Sequence, residues 1–253
     1  MEQLSIARIK EELSQACGLS SERKHALEND PRKGVRRLIR LWEERQFRDQ
    51  RLIEKFNEMN RLESDLRSIG IDNIAGIDEA GRGPLAGPVV AACVILKPAV
   101  VLPGINDSKQ LSAAKRNTFF DKIRESAVSI GIGIVSAHEI DEINIYQAAK
   151  RAMMLAVGQM DVRPGHLLID AMELPLDLAQ TSLIKGDARS NSIAAASIIA
   201  KVTRDRIMDE LDDVYPGYGF SGHKGYGTKE HLQAIERLGP CPEHRMTFAP
   251  LKR

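Results

Sequence analysis

The stretch IAGIDEAGRGPLAGP, Ile74 to Pro88, decides the fold: four residues of apolar strand run into a glycine- and proline-rich turn, and the junction carries two adjacent carboxylates, Asp78 and Glu79. The end of a strand is where an α/β sheet exposes functional groups. The Asp-Glu pair recurs at Asp141-Glu142 and Asp209-Glu210, but both lie inside helical patterns, so only the first has a strand behind it.

Outward from this point, short apolar runs alternate with helical segments, the texture of an α/β domain. The expected strands are 74–78, 89–96, 129–135, 167–170 and 182–185, making a five-stranded sheet; the expected helices are 113–127, 139–160, 192–211 and 229–238. Asp170 closes the run His166-Leu-Leu-Ile-Asp, and Asp187 follows Ser182-Leu-Ile-Lys-Gly. A single carboxylate at such a place is more often a helix cap or a surface group. Four at three strand ends are harder to dismiss. If the strands are neighbours the charges converge, and two of them ~4 Å apart repel by about 4 kcal/mol at an effective dielectric of about 20. A cation must then offset them, and an oxygen-only donor set suits Mg2+ or Mn2+, two of which form a clamp for phosphodiester cleavage.

In the turn, Gly81 and Gly83 let the backbone approach a ligand closely, and Arg82 suits a phosphate. A dinucleotide site fails, because the glycine spacing is one residue too long and Pro84 interrupts the helix it needs. His138-Glu139 lacks the second histidine of a zinc enzyme, Cys241 with His244 is an isolated pair, and Gly222-His223-Lys224 has no strand before it.

The composition, 43% hydrophobic and 28% charged at a formal charge of +1, is that of a globular chain and does not announce a nucleic-acid partner. Three scattered cysteines argue against disulfides or a structural zinc and for the cytoplasm, and neither an export signal nor a membrane anchor is expected. Residues 1–70 read as helical throughout, an extension before a catalytic domain at 71–253, and a chain starting near residue 70 is expected to fold. Leu52, Phe56, Met59, Leu62 and Leu66 form an amphipathic stripe, and residues 32–55 hold nine basic against four acidic side chains. That basic face suits phosphates, although a solvated surface with internal helix pairs is the commoner use.

Beyond Asp78 to Pro88, the chain resembles the ribonuclease HII family in Asp107-Ser108-Lys109, Asn144-Ile145, Leu167 to Ala171, Lys185-Gly-Asp-Ala188, Ser192 to Ser197, Ala200-Lys201, His223 to Gly227 and His244-Arg245, all in the family's order. The Gly-Arg-Gly turn distinguishes it from type HIII. The resemblance implies a ribonuclease H-like mixed sheet flanked by helices, with Asp78, Glu79, Asp170 and Asp187 as metal-binding and catalytic carboxylates. It implies hydrolysis of RNA in RNA/DNA hybrids and cutting at ribonucleotides embedded in duplex DNA, as in ribonucleotide excision repair, giving 5′-phosphate and 3′-hydroxyl ends with two Mn2+ or Mg2+ ions. Gly81, Arg82, Gly83, Lys109, Asn144 and Tyr226 are its implied substrate contacts, with Tyr215 and Tyr218 weaker alternatives to Tyr226. The extension is the departure from many family members. The rival readings are a metal-dependent DNA nuclease of the same fold, a non-catalytic hybrid-binding protein and a cofactor-binding oxidoreductase.

Overall fold

The computed structural model describes residues 4–252, and it divides into two compact units, Met1–Lys55 and Phe56–Arg253.

The first unit is built from α1 (Ile6–Gln15), α2 (Ser21–Glu28) and most of α3 (Lys33–Met59). The helical reading of this region holds except for its continuity, and residues 1–3 lie outside the described part. Ser5 and Ser20 cap α1 and α2, and Asn29-Asp30-Pro31-Arg32 separates α2 from α3. Ile9, Leu13, Leu27, Val35 and Ile39 bury a small core, and Trp42 Nε1 donates to the Ala16 carbonyl at 3.1 Å. Several of the basic residues serve this unit internally: Arg45 donates to the Leu13 carbonyl at 2.7 Å, Arg32 pairs with Asp30 and Arg40 with Glu44.

The second unit takes in the end of α3 and α4 (Arg61–Ser68), and then β1 (Ile74–Ala80), β2 (Val89–Leu96), α5 (Ala113–Ser126), β3 (Ala127–Val135), α6 (Ala137–Ile143), α7 (Ile145–Gly158), β4 (His166–Asp170), β5 (Gln180–Leu183), α8 (Asn191–Val214), α9 (Phe220–His223) and α10 (Lys229–Leu238). The sheet order is β3-β2-β1-β4-β5, antiparallel on the β2 and β3 side of β1 and parallel on the β4 and β5 side. All eight residues of β2 are buried, because helices cover both faces, and this is why VVAACVIL shows no polar alternation. On one face Ala75, Ile77, Ala91 and Cys93 meet Ala148, Ala152 and Met153 of α7. On the other, Ala92 and Val94 meet Ala195, Ile198 and Ile199 of α8, with Phe56, Met59, Phe120 and Ile123.

Gly76 makes the second contact possible: a Cβ there would lie 2.0 Å from the Ser192 carbonyl carbon, so only glycine lets the first turn of α8 rest on β1. The other end of that helix start is held by Glu63 of α4, whose Oε1 accepts from Ser190 Oγ, Ser192 N and Ser192 Oγ at 2.7, 3.0 and 2.8 Å. Residues 56–68 therefore belong physically to the sheet domain, although the sequence places the border near 70.

Two further differences are local. The helix expected over 139–160 is two helices, broken at Asn144 (φ 66°), whose side chain accepts from the Tyr146 and Gln147 N–H groups at 3.0 and 3.1 Å and so starts α7 afresh. The last strand is Gln180–Leu183 instead of 182–185, because Lys185 turns left-handed (φ 55°) into the Gly186–Ala188 turn.

Candidate active site

Parallel pairing brings the two principal carboxylates to one edge. Ile77 stands opposite Ile169 as the last pair of the β1–β4 register, so the next residue on each strand, Asp78 and Asp170, stands at the same level with its side chain on the same face, while β1 continues beside β2 to Ala80. Asp187 is not on a strand, but its turn is tied to that edge: Gly186 N–H donates to Asp170 Oδ1 at 2.7 Å. Glu79, one residue beyond Asp78, points to the opposite face of the pleat.

These carboxylates repel one another in a poorly hydrated place. Asp78, 5% exposed, has its carboxyl raised well above the ordinary range by burial and then by the Glu79 and Asp170 charges, against which the Ser197 hydroxyl and the Glu79 N–H act. Burial and the charges of Asp107 and Asp170 push Asp187 up to about 6, although Lys109 opposes them. Glu79 is raised by burial, with Arg82 acting the other way through a 3.2 Å contact to Oε1; its Oε2 is buried with no hydrogen-bond partner. Burial disfavours the Lys109 ammonium, but Asp78, Asp107, Asp187 and Glu79 outweigh it and hold its pKa up.

The donor set fits hard divalent cations. It consists of oxygens only, it contains a bare buried carboxylate oxygen on Glu79, and its excess negative charge is met by Lys109 and Arg82 alone among the causes named above. Among the described residues, no three acidic, histidine or cysteine side chains close into a ready-made metal cage.

Beside the carboxylates opens a cleft of about 380 Å³, lined on one side by Glu79, Ala80, Gly81, Arg82 and Gly83, and elsewhere by Ser108, Lys109, Asp170, Lys201, Arg204 and Tyr226. It gathers all the expected substrate contacts except Asn144, whose side-chain oxygen is already engaged by the two N–H groups of α7. Of the three tyrosines only Tyr226 reaches the cleft. Tyr218 is buried with its hydroxyl donating to the Gly239 carbonyl at 2.6 Å, and Tyr215 packs with Met208 and Phe220.

Sequence reasoning overlooked the groups that hold this cleft open. Arg204 (1% exposed) donates to the carbonyls of Pro88, Lys224 and Ala86 at 2.9, 3.0 and 3.1 Å, and Arg245 (0%) donates to those of Gly81 and Arg82 at 2.7 and 3.1 Å and to Gly87. Burial lowers them to about 10 and about 9, so both remain charged at neutral pH. Gly81 (φ 99°) is confined between them, since a Cβ there would lie 2.1 Å from Arg204 Nε. Asp107 also went unnoticed as a source of charge beside Asp187. Asp107 and Arg245 were marked in the sequence only by their place in the family-like blocks, and Arg204 by nothing.

Residues 75–251 match the family model described as Ribonuclease HII, and residues 5–67 match its Ribonuclease HII N-terminal domain. The chain is 58% identical over 242 residues to a ribonuclease HII of Bacillus cytotoxicus, covering 95% of this chain and 93% of the relative. It is 54% identical over 252 residues to one of Bacillus cereus, covering 100% and 98%. Among solved structures, the ribonuclease H2 of Pyrococcus horikoshii OT3 is similar with a TM-score of 0.61 at 27% identity, over 70% of this chain and 94% of that one.

Proposed function

Because the chain belongs to the ribonuclease HII family, and is thus an endonuclease of RNA/DNA hybrids, we propose that Asp78, Glu79, Asp170 and Asp187 are its metal-binding and catalytic carboxylates. The same site cuts duplex DNA at embedded ribonucleotides, leaving a 5′-phosphate and a 3′-hydroxyl. The observation that carries this reading is the crowding of mutually repelling carboxylates around the buried Asp78 toward the ends of β1 and β4, beside a cleft lined by the Gly81-Arg82-Gly83 turn and Tyr226.

A divalent cation is required, and we assign it as Mg2+ or Mn2+ on the oxygen-only donor set. Asp78, Glu79, Asp170 and Asp187 would hold a pair of such ions, which would supply water activation and charge stabilisation at the leaving oxygen. The chain's own residues do the rest. The 2′-hydroxyl is what distinguishes RNA from DNA at one position, and the backbone of Gly81, Arg82 and Gly83 is open enough to meet it. Arg82, 46% exposed at its side chain, is free to exchange its contact with Glu79 for a phosphate. Lys109 faces the carboxylates from the Ser108–Gln110 turn, where it steadies their charge and the scissile phosphate. The Tyr226 ring packs on the junction sugar, and its hydroxyl holds the 2′-oxygen or an adjacent phosphate.

We place the enzyme in the cytoplasm, in the removal of ribonucleotides from DNA. Its three cysteines are free, and among the described residues no helix is long and apolar enough to cross a membrane. The test is cleavage of three matched duplexes: all DNA, DNA with one ribonucleotide, and DNA paired with RNA. The second and third should be cut and the first left intact; cleavage of the all-DNA duplex would favour a general nuclease.

A further inference from the structure

Behind Tyr226 lie His231 and His244, 0% and 2% exposed, and the half-buried His223, and the backbone dictates which nitrogen of each ring carries hydrogen. His231 Nδ1 is 2.9 Å from the Tyr226 carbonyl oxygen, so it must be the N–H, and its Nε2 is left as an acceptor. His244 Nε2, 3.1 Å from that acceptor, must then donate. That leaves His244 Nδ1 bare, and it accepts the Cys241 backbone N–H at 2.9 Å. His223 obeys the same logic: Nδ1 accepts from Gly225 N–H at 3.1 Å, and Nε2 donates to the Tyr218 carbonyl at 2.9 Å.

The assignments follow one from another once His231 is neutral; His244 Nδ1 also lies 3.1 Å from Cys241 Sγ and 3.2 Å from the Cys241 carbonyl oxygen, but its shortest contact, at 2.9 Å, is the one it accepts from the Cys241 N–H. A proton added to His231 Nε2 would face the His244 N–H, and one added to His244 Nδ1 would exchange the 2.9 Å contact with the Cys241 N–H for the longer one, at 3.2 Å, to the Cys241 carbonyl oxygen. Burial, which pushes His231 down to about 4 and lowers His244, acts in the same sense.

The residue after His244 completes the arrangement on the other side of the cleft. Arg245 holds the Gly81 and Arg82 carbonyls by its side chain, and its backbone N–H donates to the Leu85 carbonyl at 2.8 Å. Leu85 N–H in turn donates to the Gly225 carbonyl at 2.8 Å, next to Tyr226. One dipeptide, His244-Arg245, thus grips the turn at Gly81 directly and Tyr226 through His231.

We propose that His231, His244 and Arg245 form a clasp of positioning residues that sets Tyr226 in register with the Gly81-Arg82-Gly83 turn, so that recognition of the ribonucleotide depends on a buried neutral histidine pair. This rests on the reading above that Tyr226 and the turn hold that nucleotide. None of the clasp's hydrogen bonds reaches Asp78, Glu79, Asp170 or Asp187.

Two measurements on the full chain test it. In the 15N-histidine-labelled protein at neutral pH, NMR should show His231 as the Nδ1–H tautomer and His244 as the Nε2–H tautomer; the opposite tautomer or a protonated ring at either position overturns the clasp. In single-turnover cleavage of duplex DNA with one ribonucleotide in Mn2+, His231→Ala and Tyr226→Ala should each be slower by about tenfold or more, the scale of one functional hydrogen bond. The double variant should lose nothing further, and His231→Asn, whose amide can still donate to the Tyr226 carbonyl, should recover most of the rate. If Tyr226→Ala cuts at the wild-type rate, the reading of Tyr226 falls and the clasp with it. If Tyr226→Ala is slow while His231→Ala is not, or the two losses multiply, the clasp falls and Tyr226 keeps its role.

Discussion

Tyr226 and Gly83 face each other across the cleft so closely that a Cβ on Gly83 would lie 3.7 Å from Tyr226 Cε1, in ordinary van der Waals contact. A methyl group is therefore tolerated by the fold but intrudes on the gap where a ribose edge would pass. Gly83→Ala should unfold at the wild-type temperature while cutting the single-ribonucleotide duplex several-fold more slowly. Gly81→Ala should behave differently, because φ is 99° and the new Cβ meets Arg204 Nε at 2.1 Å and the Pro88 carbonyl oxygen at 2.8 Å. It should lose stability by about 1–3 kcal/mol from the backbone conformation alone. Thermal unfolding of both variants checks this, and equal melting temperatures would refute it.

The true start of the sheet domain is testable by truncation. A chain beginning near Phe56 keeps the Phe56 carbonyl that accepts from Asn191 Nδ2 at 2.9 Å, the buried Phe56 and Met59, and Glu63 at the start of α8. A chain beginning near Gly70 loses all of them, and each buried side chain removed costs about 2–5 kcal/mol. The first should fold and cut, and the second should be far less stable. In the full chain, Glu63→Ala should lower the unfolding free energy by about 1–3 kcal/mol, the cost of stranding buried donors. Urea denaturation supplies the numbers.

The carboxylates predict a definite pH dependence. Asp187 is raised from 3.8 to about 6, so between those values the folded chain holds a proton that the unfolded chain releases. Without metal, stability must then fall as pH rises through that window and stay reduced above it. Asp187→Asn removes this contribution, so its melting temperature should gain on the wild type between about pH 4 and pH 6 and hold the gain beyond. A difference that does not vary with pH would contradict the crowded site.

What the sequence reveals of this site follows from which residues obey a period. Asp78 and Asp170 terminate apolar runs buried on both faces, so their placement could be read before any coordinates. Gln180 and Thr181 open a strand of only four residues at the sheet edge, too short and too polar to show alternation. At Asn144 the apolar spacing continues from Ile140 into Ala148, which hides a break that depends on one positive φ. Arg204 and Arg245 look like surface charges because their acceptors are loop carbonyls, and loop carbonyls leave no mark on composition. The histidines are hidden for the same reason: apart from the His231–His244 contact, their partners are backbone atoms such as those of Tyr226, Tyr218 and Cys241.

The central claim is that the cluster at the ends of β1 and β4 binds the cations that cut RNA, and the most direct measurement is cleavage of a labelled RNA/DNA hybrid in Mg2+ or Mn2+ by the wild type, Asp78→Asn and Asp170→Asn. Both variants should retain the wild-type circular dichroism, and Asp78→Asn should be at least as stable without metal because a repelling buried charge is gone. Neither should cut, and the wild type should stop cutting in excess chelator. Substantial cleavage by both variants, or full wild-type activity in chelator, would contradict the assignment.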